Sequence, residues 1–194
     1  MPDDPIRIIQ ETTLSDHHFP LKQLTYEQRR RDGSWQRETR EVYLNASGVA
    51  VLLYDPERRT VLLTRQFRPG VRMAGDDGFL VEVPAGMLDD ADPEARIRAE
   101  LMEETGFEAR KLRRIMTLYA SPGTLTEQVH YFLGEYGQAD KKEQGGGEEE
   151  EGEDIEVLEM DVGEALRQAG TGGIRDAKTV ILLQALREEL RTLR

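Results

Sequence analysis

Apolar and polar positions alternate in short bursts through most of the chain and settle into a helical period only in its middle and at its end. Residues 6–45 scatter Phe19, Leu21, Leu24 and Tyr26 through a polar stretch that also holds Asp32-Gly33, a strong hairpin signal. They read as strands and turns, with a partly alternating strand from Trp35 to Leu44. Gly48–Tyr54 and Thr60–Phe67 have better strand composition and flank the turn Asp55-Pro56-Glu57-Arg58-Arg59. Phe79, Val81 and Val83 alternate cleanly up to Pro84-Ala85-Gly86. Pro93 then opens a helix, where its missing N–H costs nothing, and Gly106 closes it. Further strands are expected at Leu112–Tyr119, Gln128–Tyr136 and Ile155–Val162. Between the last two, Gln138–Asp154 carries Gly145-Gly146-Gly147 and a run of glutamates, too polar and flexible to be core, and most of Gln138–Gly147 reads as a solvated linker. Two helices end the chain, Gly163–Ala169 and one from Asp176 onward, the latter with Leu183, Leu186, Leu190 and Leu193 on one stripe. Strands before, between and after a central helix predict a mixed α/β sandwich over 46–194, with 1–45 as a small β domain.

Composition narrows the chemistry. The chain has 194 residues, 38% of them hydrophobic, and a formal charge of −12. That suits one domain with an appendage, and it argues against a nucleic-acid binder, which needs a Lys/Arg surface. No cysteine is present, which excludes disulfides, thiolate zinc sites and cysteine nucleophiles. No apolar run approaches membrane-spanning length, and Met1–Gln10 lacks the pattern of a secretory signal. The expectation is a soluble cytoplasmic protein with no membrane partner.

The informative segment is the central helix. Glu100 and Glu104 fall one turn apart on one face, with Glu103 beside them, and Ile97 and Leu101 border that face. Like charges at this spacing repel, and a hard divalent cation such as Mg²⁺ or Mn²⁺ would turn the repulsion into ligation. The plainer alternative is an ordinary solvated acidic face.

The arrangement from Gly86 through Glu100, Leu101, Glu103, Glu104 and Gly106 to Phe107 resembles the signature of the Nudix hydrolases. Asp92 stands where that signature has Glu, the following spacer is one residue short, and Ala99 replaces an Arg that normally helps orient a catalytic glutamate. One branch, the bacterial GDP-mannose pyrophosphatases, shares the short spacer and the missing Arg. The resemblance to that branch runs nearly end to end, through Leu14-Ser15-Asp16, Thr25-Tyr26, Arg40-Glu41-Val42-Tyr43, Arg65-Gln66-Phe67-Arg68, Ser121-Pro122-Gly123, Thr126-Glu127, Asp154-Ile155-Glu156-Val157 and Ile174-Arg175-Asp176 with Lys178-Thr179. The sister branch of ADP-ribose pyrophosphatases shares most of this framework.

The resemblance implies a Nudix α/β/α sandwich with a mixed sheet, and Mg²⁺-dependent hydrolysis of the diphosphate of a nucleoside diphosphate sugar. GDP-mannose giving GMP and mannose 1-phosphate is the first expectation, and ADP-ribose giving AMP and ribose 5-phosphate the second. An inactive Nudix-fold binding module is the alternative of another class. The metal set implied is Ala85 through its carbonyl, Glu100, Glu103, Glu104 and Glu153, with Glu151 as the other register for the loop glutamate. Glu104, Glu127 and Glu153 are implied as catalytic, Glu127 as a candidate general base. Implied substrate contacts are His18, Thr39, Arg40, Glu41, Arg68, Ala85, Gly86, Met87 and Lys178, besides the three catalytic glutamates. The family also implies a homodimer whose N-terminal sheets swap, so that the segment Thr39-Arg40-Glu41 reaches the partner's substrate. Residues 1–45 are too few to bury a core of their own, which agrees with that arrangement.

Overall fold

The computed structural model describes residues 4–88, 90–148, 150 and 152–192. They form two compact units, one of residues through Ser47 together with Tyr119–Val129, the other of Gly48–Leu118 and the residues from His130 onward.

The first unit is built on an antiparallel sheet of β1 (Ile6–Asp16), β2 (Pro20–Arg29) and β3 (Trp35–Tyr43), in that order. The Asp32-Gly33 turn is where the sequence places it: Asp32 accepts from Ser34 N at 3.0 Å, and the β2–β3 register runs unbroken from Leu21↔Tyr43 to Arg29↔Trp35. The register of β1 on β2 shifts twice, between Ile8 and Gln10 and between Thr13 and Ser15. The loop of residues 119–129 is tied to this unit by Tyr43 N donating to Thr124 O and Thr126 Oγ1 donating to Asn45 O.

The second unit holds β4 (Ser47–Asp55), β5 (Thr60–Phe67), α1 (Pro69–Met73), β6 (Phe79–Glu82), β7 (Ala85–Leu88), α2 (Pro93–Thr105), β8 (Arg110–Tyr119), β9 (Gln128–Glu135), β10 (Glu156–Asp161), α3 (Val162–Thr171) and α4 (Ala177–Thr192), elements whose end residues at β4, β8 and β9 reach into the first. The sheet order is β10-β5-β4-β9-β8, with β6 on β5 and β7 on β4. This is the α/β arrangement with a mixed sheet that the resemblance implies. Strand β4 is buried on both faces, as a central strand sandwiched between helices must be. Val49, Val51 and Leu53 point to the side where Ile97 and Leu101 of α2 pack with Phe107, Phe132 and Tyr136. Tyr54 points the other way, toward Leu186 and Leu190 of α4.

Helix α2 begins and ends as its sequence dictates. Asp92 caps it by accepting from Glu94 N and Ala95 N, and Gly106 closes it in the left-handed conformation. The departure at Asp92 therefore has a structural function, for a shorter acid in this place satisfies two orphan N–H groups of the first turn. The stripe expected on α4 is buried at Leu183 and Leu186, with Leu182 joining it, and Leu193 lies outside the described residues. At the far edge of the sheet Arg58 donates to Asp55 at 2.7 Å and to Glu159 at 2.7 Å, locking the β4–β5 turn to β10. This fork holds the Glu159 carboxyl below its ordinary pKa.

The reading of most of 138–147 as a solvated linker holds for the exposed Gln138, Ala139 and 141–144, and is corrected at Gly145–Gly147, which dock on α2. Gly146 N donates to Glu104 O at 2.9 Å, Gly147 N to Glu103 O at 3.1 Å and Lys142 N to Gly106 O at 2.8 Å. The last carbonyls of α2 have no partner within their own helix, and this loop supplies the missing donors. At Gly145, with φ +72°, a Cβ would lie 2.4 Å from the Thr105 carbonyl carbon, so close an approach requires a bare backbone. Glycine here serves contact, not freedom.

Candidate active site

The second unit gathers its chemistry where β6, β7, α2 and the start of α4 meet. Glu100 and Glu104 are both buried, at 5% and 1% exposure, so the plainer reading of α2 as a solvated acidic face fails for these two. Glu103 stays one-third exposed. Glu104 accepts from Ala85 N at 3.3 Å across from β7. Burial, then the charges of Glu100 and Glu153, raise its pKa well above the ordinary carboxylate value, against the opposing pull of Arg68 and the Ala85 N–H. Glu153 thus belongs to the same electrostatic cluster, and its carboxylate accepts from Glu148 N at 3.1 Å. Glu151 lies outside the described residues.

Gly86 sits against Glu100 so tightly that a Cβ would fall 1.5 Å from Glu100 Oε1. Only glycine lets β7 pass this carboxylate. Met87, the next residue, is half-exposed, and its carbonyl accepts from Arg96 Nε at 3.2 Å.

Two cations face the carboxylates through an intermediary. Glu82, 2% exposed at the end of β6, accepts from Arg68 Nε at 2.6 Å and from Lys178 Nζ at 3.2 Å. Lys178 also donates to Asp176 at 2.7 Å. Asp176 in turn accepts from Thr179 N and Thr179 Oγ1, whose oxygen accepts from Val83 N at 2.8 Å. Burial works against the Lys178 charge, but Asp176 and Glu82 outweigh it and hold its pKa above the ordinary value. Glu82 is a residue the sequence reading passed over. Its signal was an acid flanked by Val81 and Val83 in a strand ending at Pro84, where a charge has no reason to be unless it is paired.

The other candidates lie in the first unit. Thr39 and Arg40 are exposed on β3, with Thr39 Oγ1 3.2 Å from Thr25 Oγ1 and Arg40 paired to Glu38 at 2.9 Å. Glu41 is exposed beside them. His18 is exposed and meets Phe19 edge-on at 4.4 Å between ring centres. Glu127 is partly buried, its carbonyl accepting from Ala120 N at 3.1 Å.

Among the described residues no three acidic or histidine side chains already converge as a metal-binding group. The donors nonetheless suit a divalent cation. Glu100 and Glu104 offer hard oxygens, and the like-charge crowding that lifts the Glu104 pKa is what such a cation relieves.

Two family patterns cover this chain: the N-terminal domain of the GDP-mannose pyrophosphatase NudK over residues 5–43, and the NUDIX domain over 44–182. The chain belongs to the Nudix family. It is 47% identical over 182 residues to the GDP-mannose pyrophosphatase of Cronobacter sakazakii, an alignment covering 93% of this chain and 94% of the relative. It is 45% identical, with the same coverage, to the GDP-mannose pyrophosphatase of Escherichia coli strain SMS-3-5. A crystal structure of an ADP compounds hydrolase shares the fold at a TM-score of 0.75, covering 98% of this chain and 96% of that one, with 16% identity. Membership of this family makes the chain a hydrolase. No helix of the described residues is long and apolar enough to cross a membrane.

Proposed function

We propose that this Nudix hydrolase cleaves the diphosphate of GDP-mannose, giving GMP and mannose 1-phosphate. The observation that carries the reading is the presence, in the same unit as the buried carboxylates Glu100 and Glu104, of two cations, Arg68 and Lys178, held together by Glu82. A diphosphate ester needs both: acids to hold cations, and cations to hold phosphate oxygens. The sugar and base come from the names of the relatives, which extend over nearly the whole chain.

Ala85 through its carbonyl, Glu100 and Glu104 would hold Mg²⁺, with Glu103 and Glu153 as further ligands. When bound, the cation neutralises phosphate charge and lowers the pKa of water. The Arg68 guanidinium presents a planar fork to one phosphate, and Lys178 a point charge to the other. A general base takes the proton of the attacking water, the role that the resemblance implies for Glu127. The water oxygen forms the new P–O bond, the bridging P–O bond breaks, and the bridging oxygen leaves with the second phosphate. The loop glutamate Glu153 closes on the substrate beside Gly86 and Met87.

The test is a panel of nucleoside diphosphate sugars with Mg²⁺, scored by chromatography of products. GMP and mannose 1-phosphate from GDP-mannose are expected. No turnover of any member would leave a binding module and overturn the enzymatic reading.

The first unit is assigned to dimerisation and substrate contact. Its sheet leaves Ile6, Ile8, Leu14 and Trp35 exposed, apolar surface that a swapped partner would cover. His18, Thr39, Arg40 and Glu41 then serve the partner's site. Mixing an Arg40→Ala chain with a Glu104→Gln chain is expected to restore one working site from two inactive parents. Absent activity after verified subunit exchange would disprove the shared site.

A further inference from the structure

The signature arginine that would sit at position 99 is an alanine here, yet the acidic face of α2 does not lack a guanidinium. Arg96, one turn before Glu100, places Nη2 2.5 Å from Glu100 Oε1 and Nη1 3.5 Å from Glu103 Oε2. Its Nε donates to Met87 O at 3.2 Å, so the fork is held on three sides and bridges α2 to β7. Residues 96, 100 and 103 follow one another at i, i+4 and i+7 along a single face. An arginine at 99 would have Glu103 as its i+4 neighbour, whereas Arg96 has Glu100 in that place, so the two positions approach the acidic face from different sides.

The oxygen that Arg96 touches is the one that Gly86 is shaped to accommodate: Glu100 Oε1 is also the atom a Cβ at Gly86 would strike. Glu100 is nearly sealed from solvent, whereas Arg96 remains about a quarter exposed. A buried carboxylate next to Glu104 therefore has its charge met by a side chain with room to swing outward.

We propose that Arg96 is the resident counter-ion of Glu100 and Glu103, and that a divalent cation exchanges with it at Glu100, the guanidinium giving up the Met87 carbonyl and swinging outward on the side of the more exposed Glu103. The inference rests on the reading of Glu100 as a metal ligand. Two cations cannot share Glu100 Oε1 without repulsion, so Arg96 sets the affinity of the site for metal by competing for it. The crowding of Glu100 and Glu104 is then tolerable before metal arrives, and metal is not held so tightly that the product phosphates leave with difficulty.

The experiment is Mn²⁺ binding to the full-length protein, followed by electron paramagnetic resonance and by calorimetry at low ionic strength, for wild type, Arg96→Gln and Arg96→Lys. Arg96→Gln is expected to bind Mn²⁺ about five- to tenfold tighter while its metal-free form melts at a lower temperature. Arg96→Lys, which keeps the charge but not the fork, is expected to fall between the two. A structural role alone lowers the melting temperature without tightening Mn²⁺ binding, so unchanged or weaker binding by folded Arg96→Gln overturns the exchange. Should Arg96→Gln not fold, the Arg96→Lys comparison decides: binding no tighter than wild type overturns the proposal. Wild type that hydrolyses nucleotide sugars but shows no change on substitution refutes only Arg96; wild type that binds no Mn²⁺ refutes the metal site and the exchange together.

Discussion

Glu104→Gln is expected to remove most of the activity while leaving the metal-free protein more stable at neutral pH than wild type. The catalytic loss should be about 10²–10³-fold in kcat, the scale on which a single group that stabilises transition-state charge is measured. Stability moves the other way because the Glu104 charge is unfavourable before metal binds, being buried and facing Glu100 and Glu153. A carboxyl with a folded-state pKa above its unfolded value favours folding at low pH. That advantage is lost as pH rises from the ordinary 4.5 through the raised folded value. Wild type without metal should therefore lose melting temperature over that window, and Glu104→Gln should lose less of it. Added Mg²⁺ should restore wild type and do little for the variant. Thermal melts across pH, with and without Mg²⁺, check both signs. A variant that melts lower than wild type at neutral pH without metal would show Glu104 to be stabilising as a charge, contrary to this account.

Gly145→Ala is the larger structural test. The methyl would meet the Thr105 carbonyl carbon at 2.4 Å and would sit at φ +72°, so both space and backbone oppose it. Relief requires the loop to lift off α2, breaking the bonds from Gly146 N to Glu104 O and from Gly147 N to Glu103 O. The expected cost is about 2–4 kcal/mol by denaturant unfolding, the range of substitutions incompatible with a tight backbone site. Because the same loop carries Glu153, activity should fall with it even at temperatures where the variant is folded. Wild-type stability and rate in Gly145→Ala would mean that the loop does not dock as described.

These two sites show what a sequence conveys and what it withholds. Helix α2 was legible to the residue, because Pro93 and Gly106 are local signals whose physics acts within one turn. Strand β5 was legible for the same reason, its apolar run being bounded by a turn on one side and Arg68-Pro69 on the other. The strand β7, Ala85-Gly86-Met87-Leu88, was not, since four residues with a glycine carry no alternation and owe their conformation to pairing with β4. The same holds for the short helix α1, too brief to show a period.

The triple glycine misled because composition alone cannot separate a glycine that frees a chain from one that lets two backbones touch. Gly145 is of the second kind, and only the position of Thr105 reveals it. Within the site, the resemblance pointed to Arg68, Glu100, Glu104 and Lys178, and all four lie in the second unit. It did not point to Glu82 or Arg96, which act through the residues that carry the signature. Glu82 joins Arg68, 14 residues before it, to Lys178, 96 residues after it, a relation no local pattern encodes.

The central claim is that this Nudix site hydrolyses GDP-mannose at its diphosphate. The most direct measurement is kcat/KM for GDP-mannose and for ADP-ribose, side by side with the same protein and the same Mg²⁺ concentration, products resolved by chromatography. The expected ratio favours GDP-mannose, with GMP and mannose 1-phosphate in equal amounts; a ratio strongly favouring ADP-ribose, with AMP and ribose 5-phosphate released, would overturn the assignment.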